Sequence, residues 1–418
     1  MGKDGDPTGL SIARYHRVFS AADWFDAARA RAYLTILIVI MAVVVVGYVG
    51  LSAGLNDPFG KALGTDFASF WTASRLALSG DSAGPWNIDT HRAAQAAMFG
   101  EKAGYAAFFY PPPYLLVCLP LALLPYVASL FVWLATTGAA WIMTVRAWSG
   151  GKAGWLLILA FPAVLVNAGH GQNAFLTAAL FGGAALISQR RPWLSGLLFG
   201  ALIIKPHLAL LVPLFFVFSG NWRGFLAAGA SAAGLSVLSL VVFGPEAWTG
   251  FFDASALARA TLEHDLVGYA KMQSVYAGVR LMGGADGLAW SAQGIALVLA
   301  VTALWMTRRA PEAARGAVLV CATLIATPFL LDYDLVLLGA PLAWLFCQAR
   351  QEGFRSWDKL ILTLAFLSPL IARPLAMATH FPIAPLVILA LLVCVVRRCA
   401  VLSPATYPFH PSLIAAKS

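Results

Sequence analysis

The chain has 418 residues, 60% hydrophobic and 11% charged, with a formal net charge of +9. Soluble domains carry roughly 25% charged residues, so this composition excludes an ordinary soluble fold and points to an all-α polytopic membrane protein. The surplus Arg and Lys sit in short clusters between apolar runs, the pattern of cytoplasmic loops and not of a nucleic-acid footprint.

Residues 1–31 are polar or mixed and include Arg14, Arg17, Arg29 and Arg31. The apolar run that follows, Ala32 to Leu55, is uncharged and too long for a signal-peptide core. It reads as a retained anchor behind a cytoplasmic N-terminal segment. Candidate spans follow at 32–51, 127–147, 154–168, 173–188, 193–204, 206–219, 224–243, 290–306, 315–330, 335–348, 358–373 and 383–397. These give about 12 crossings, several shorter than the roughly 20 residues of a straight span, so tilted or broken helices are expected. The clusters Arg146/Lys152, Arg190/Arg191, Arg223, Arg308/Arg309, Arg350/Arg355 and Arg397/Arg398 then all face the cytoplasm. The apolar stretch from Pro113 to Pro125 is too short to cross and reads as a half-helix.

Two external loops stand out, about 52–112 and 244–289, and the acids concentrate there: none occurs between Glu101 and Glu246. In the first loop, 66–79 and 89–101 are expected as short helices on the membrane surface. The whole of 32–398 is read as one membrane domain, with an irregular tail at 399–418. The five cysteines, Cys118, Cys321, Cys347, Cys394 and Cys399, show neither CxxC nor Cys/His ligand spacing and read as packing residues. No metal site and no cofactor is expected, although Asp332 and Asp334 leave a divalent cation open.

Asp66 is the first candidate for chemistry. It lies in Thr65-Asp66-Phe67-Ala68-Ser69-Phe70-Trp71, and a carboxylate among aromatic rings at a membrane face is a functional-site hypothesis. Partial desolvation there would suit it to general-base work; its bland alternative is a helix cap. Arg75 and His91 share its loop. Phe108-Phe109-Tyr110 before Pro111-Pro112-Pro113 forms an extended aromatic entry. His170 and Gln172 stand in a tight turn, Gly169-His170-Gly171-Gln172-Asn173, that faces either solvent or a cavity. Lys205-Pro206-His207 interrupts the apolar stretch from Trp193 to Phe218. A Lys there needs an anionic partner, and no acid is near it in sequence. Asp332 and Asp334 can hold a cation or orient sugar hydroxyls, and Gln273 lies in an amphipathic segment of the second loop that suits a lid.

Together, Asp66-Phe67-x-x-Phe70-Trp71, Tyr110-Pro111-Pro112, Leu119 to Pro125, Gly171-Gln172, Lys205-Pro206 and Thr327-Pro328 before Asp332-Tyr333-Asp334 resemble glycosyltransferase family 87. That family belongs to the GT-C superfamily of membrane enzymes that take sugar from a polyprenyl-phosphate carrier. The resemblance implies a GT-C bundle with interfacial helices in its external loops, and Asp66 as general base. It implies inverting transfer of a hexose, mannose by family weight, to a lipid or glycan acceptor. Some members carry a His pair where Tyr333 and Asp334 stand; here Lys205, Arg75, His207 or His91 would have to neutralise the leaving phosphate. Gln172, His170, Tyr110, Trp71, Gln273, Asp332 and Asp334 are the expected substrate contacts. The expected setting is a bacterial inner membrane, multi-pass, with the site facing the periplasm and membrane lipids around it. A transporter or flippase of lipid-linked glycans, using Lys205, His170 and the broken helix as a midplane site, is the alternative.

Overall fold

The computed structural model describes residue 16 and residues 18–151 and 154–399. Lys152, the segment before residue 16 and the tail beyond Val401 lie outside the described residues, so the expectations for them stay as stated. The described residues are helical, with isolated β-bridges and no strand.

The first helix, Ala27–Leu51, starts at Asp26, whose carboxylate accepts from the Ala28 and Arg29 amides at 2.9 and 2.8 Å. It is apolar around its whole circumference and almost entirely exposed, as a helix surrounded by lipid would be. Four more described helices are long and apolar enough to cross a membrane: Tyr126–Trp148, the Trp222–Ala256 part of a longer helix, Asp286–Met306 and Asp358–Thr379. The expected 12 crossings included shorter, broken runs, so these five long helices do not test that number. The remaining apolar sequence is cut into shorter helical stretches, among them Pro112–Leu123, Ala174–Leu186, Pro192–Ile204 and Pro206–Phe218. Prolines explain several of the cuts, because a proline fits the first turn of a helix and breaks an interior. Helices start at Pro112, Pro162 and Pro192 for this reason.

At the centre lies Glu312–Ala326, in which every residue is buried. Its neighbours can come close because their facing residues are small. A methyl group at Gly316 would lie 2.7 Å from the Trp148 ring and 3.1 Å from Ala185 Cβ. The buried segment continues through Asp332–Leu338, a 3₁₀ stretch, into Gly339–Glu352.

The helix Trp222–Glu263 runs through the expected end of its span and kinks at Gly244, where φ is +79° and Pro245 follows. Proline removes the amide and glycine supplies the left-handed turn. The second external loop therefore begins as helix.

The two helices expected on the membrane surface form as Thr65–Leu78 and Ile88–Phe99. The first does not lie on a surface: Phe67 through Ser74 are all buried. Its rings belong to an aromatic core with Phe108, Tyr114, Tyr126 and Trp133. Phe70 alone makes edge contacts with Phe108, Tyr110, Tyr114 and Trp133 at ring separations of 6.5, 5.3, 5.1 and 6.4 Å. Burial of the helix fixes where its N-terminal turn points.

Candidate active site

Asp66 lies in that first turn, after Gly64 in the left-handed conformation. The turn packs on the corner between Pro162–His170 and Ala174–Leu186. The contact is too close for a side chain, because a methyl group at Gly171, itself at φ +61°, would sit 2.6 Å from Phe67 Cβ. Trp133 Nε1 donates to Gly171 O at 3.1 Å, and Thr65 Oγ1 meets His170 Nδ1 at 3.0 Å. The result brings Gln172 against the acid, its Nε2 donating to Asp66 Oδ2 at 2.9 Å.

Asp66 opens into a cavity of about 580 Å³, within the size range of small-ligand sites. His170, Gln172, Tyr110, Lys205 and His207 line it too. The turn at 169–173, which the sequence left facing either solvent or a cavity, directs His170 and Gln172 inward. Asp66 is the one acid among the described lining residues, against Lys61, Lys205, Lys271 and Arg373.

Three of these cations, Lys61, Lys271 and Arg373, were not singled out from the sequence. Arg373 lies inside the long apolar helix Asp358–Thr379, beside Pro374; the signal that marked Lys205 was present there as well. Lys271 carried no such mark. It is placed by backbone pairing: Met272 bridges Leu331, Gln273 N donates to Leu330 O at 2.7 Å and Asp332 N to Lys271 O at 3.2 Å. The 244–289 segment is thereby fastened to the Thr327–Asp334 segment and delivers Lys271 to the cavity. Its ammonium and that of Lys205 both contact the Tyr333 ring, at 5.5 and 5.1 Å from the centroid.

Lys205 has the anionic partner that it needed, and it is protein: Asp334, 129 residues away in sequence. Both side chains are buried. Asp332 pairs with Arg373 at 3.1 Å and accepts from the Tyr333 amide at 2.9 Å. Each carboxylate of the Asp332/Asp334 pair is thus engaged by a cation and neither lines the cavity, which corrects the expectation that they meet sugar or metal. Among the described residues no cluster of His, Cys, Asp and Glu suits a metal ion.

Four further expectations are displaced. Arg75 is exposed near the far end of its helix, its guanidinium 5.5 Å from the Trp71 ring. Trp71 is buried in the aromatic core and donates to Leu124 O at 3.2 Å. Gln273 is buried and its amide donates to Ala270 O and Lys271 O at 3.1 and 3.2 Å, shaping the loop that carries Lys271. His91 is fully buried, with Nε2 at 3.2 Å from Ser69 O and Nδ1 at 3.4 Å from the Tyr105 hydroxyl. Burial pulls its pKa down to about 4, so at neutral pH it carries no charge to offer a phosphate. One turn on, Gln95 exchanges hydrogen bonds with the Ala106 backbone at 2.7 and 3.1 Å, holding the 104–107 wall of the cavity.

The model of glycosyltransferase family 87 matches residues 108–331, more than half of the chain, and the match takes in Tyr110, Gln172, Lys205 and Lys271. Asp66 precedes it. No curated protein and no solved structure matches the sequence. The matched length decides the family, and the apolar helices agree with it: the chain belongs to glycosyltransferase family 87 and is a membrane glycosyltransferase.

Proposed function

We propose that the cavity transfers a hexose, mannose in the first instance, from a polyprenyl-phosphate carrier to a hydroxyl of a lipid or glycan acceptor. The setting is the periplasmic side of a bacterial inner membrane. The observation that carries this reading is the arrangement of charge: one carboxylate, Asp66, against four cations, Lys61, Lys205, Lys271 and Arg373, among the described residues that line the cavity. A neutral sugar with a neutral leaving group would not call for that surplus. A sugar phosphate does, because the phosphate gains charge as the bond to it breaks.

Asp66 takes the proton of the acceptor hydroxyl as the hydroxyl oxygen bonds to the anomeric carbon. The bond from that carbon to the phosphate oxygen breaks on the opposite face, and its electron pair leaves with the polyprenyl phosphate. One displacement inverts the anomeric centre. Lys271 is the residue best suited to hold the leaving phosphate: it lines the cavity, is partly exposed and has no carboxylate partner among the described residues. Lys205 and Arg373 are offset by Asp334 and Asp332 and contribute less. His207 lines the same region, and its Nε2 is buried without a hydrogen-bond partner among the described residues.

The test is to incubate the purified protein in lipid nanodiscs with radiolabelled polyprenyl-phosphate mannose, glucose or galactose and a bacterial membrane-lipid extract. Label moving from carrier to a new product supports the reading and names the sugar. Label that stays on its carrier but crosses the bilayer of reconstituted vesicles would overturn it in favour of a flippase.

A further inference from the structure

Gln172 and Tyr110 were expected to contact substrate, but their geometry assigns them a different task. Gln172 Oε1 accepts two hydrogen bonds, from the Tyr110 hydroxyl at 2.9 Å and from the Asn173 amide at 2.7 Å. Two donors aimed at one atom fix it as the oxygen, so the NH₂ end must face Asp66. That end donates to Asp66 Oδ2 at 2.9 Å. An amide N–H can only donate, so it occupies one of the carboxylate oxygens. Oδ1 is left for the acceptor proton. Gln172 is 2% exposed and sits in a corner held by Gly171 and Trp133, so this orientation is built into the fold. Tyr110 lies in the extended segment that ends at Pro111, and Trp86 Nε1 donates to its carbonyl at 2.9 Å.

We propose that Tyr110 and Gln172 are positioning residues for Asp66: the tyrosine sets the glutamine amide, and the amide occupies one carboxylate oxygen and aims the other. This rests on the reading of Asp66 as the base. It predicts a loss in the rate of the chemical step, with substrate binding unaffected, and it predicts coupling between the two residues.

The experiment compares wild type, Asp66→Asn, Gln172→Leu, Tyr110→Phe and the Gln172→Leu/Tyr110→Phe double variant, each checked for an unchanged thermal transition. Two readouts are used: transfer from radiolabelled polyprenyl-phosphate mannose, and labelling of Asp66 by a hydrophobic carbodiimide, which attacks protonated carboxyl groups and needs no substrate. A hydrogen bond to a charged group is worth about 1.5–3 kcal/mol, so Gln172→Leu should lower kcat roughly 10- to 100-fold with KM within twofold. Tyr110→Phe should cost less, roughly 2- to 10-fold, and nothing further in the Gln172→Leu background. At one pH, Asp66 should label faster in Gln172→Leu than in wild type.

A rise in KM at constant kcat overturns the proposal and returns Gln172 to substrate contact. Additive losses, or equal labelling of Asp66, overturn it too. If Asp66→Asn itself transfers sugar at the wild-type rate, the base assignment fails first and takes the proposal with it. If Asp66→Asn is inactive while Gln172→Leu matches wild type, the positioning role alone fails.

Discussion

At the scale of single residues, charge in this protein is meaningful according to whether a partner already answers it. Lys205 attracts notice in the sequence as a lone cation in an apolar stretch, yet Asp334 meets it. Lys271 attracts none, yet it lines the cavity and has no carboxylate beside it among the described residues. Its replacement by Met should reduce kcat/KM about 10²-fold or more while the fold is kept, with Lys271→Arg restoring part of the loss. Steady-state kinetics with the active donor would check this. His91 acts on stability. Its native pKa of about 4 lies below the ordinary 6.5, so between these values the unfolded chain binds the extra proton and the folded chain does not. Stability should therefore rise with pH across that window and be lost as pH falls from 6.5 toward 4. Thermal scans over that range should show the slope in wild type and a shallower one in His91→Leu.

At the scale of elements, the site depends on how closely the Asp66 turn approaches the 169–173 corner. Gly64 and Gly171 meet there with no room for a side chain. Gly171→Ala forces a methyl group into Phe67 and a left-handed backbone onto alanine, which should cost about 1–3 kcal/mol. Because the displaced helix carries Asp66, activity should fall further than stability does, and a parallel measurement of melting temperature and transfer rate separates the two. This corner was only partly legible beforehand. The turn and its polar residues were plain in the sequence, as was a helix beginning near Asp66. Its burial was not, since a helix rich in Phe and Trp satisfies an interfacial pattern and an aromatic core equally well. The fourfold engagement of Phe70 depends on Phe108, Tyr114 and Trp133, and nothing local in the sequence says that they converge.

At the scale of the whole molecule, long-range pairs tie the Asp332–Leu338 segment to other segments around the cavity. Asp334 and Lys205 join the Asp332–Leu338 segment to the break between Ala201–Ile204 and Pro206–Ala209; Asp332 and Arg373 join it to the Asp358–Thr379 helix. Breaking the buried pair by Lys205→Met leaves Asp334 unanswered and should cost about 3–5 kcal/mol, whereas Lys205→Met/Asp334→Leu together should recover most of that stability. Denaturation of the single and double variants distinguishes this from simple loss of packing. The membrane class and the helical fold were legible from composition and apolar runs, because these are properties of segments. The partners of Asp332, Asp334, Lys205 and Lys271 were not, because they are set by contacts between segments far apart in sequence. The division of apolar runs into short helices was foreseen in outline from their lengths.

The central claim is that Asp66 is the base of a sugar transfer from a lipid-linked phosphate. It is tested most directly by the transfer rate of folded Asp66→Asn against wild type, with the polyprenyl-phosphate hexose that wild type uses. Loss of a general base should lower the rate about 10²- to 10⁴-fold with an unchanged melting temperature. Transfer within a few-fold of wild type would show that Asp66 only begins its helix, and would contradict the account.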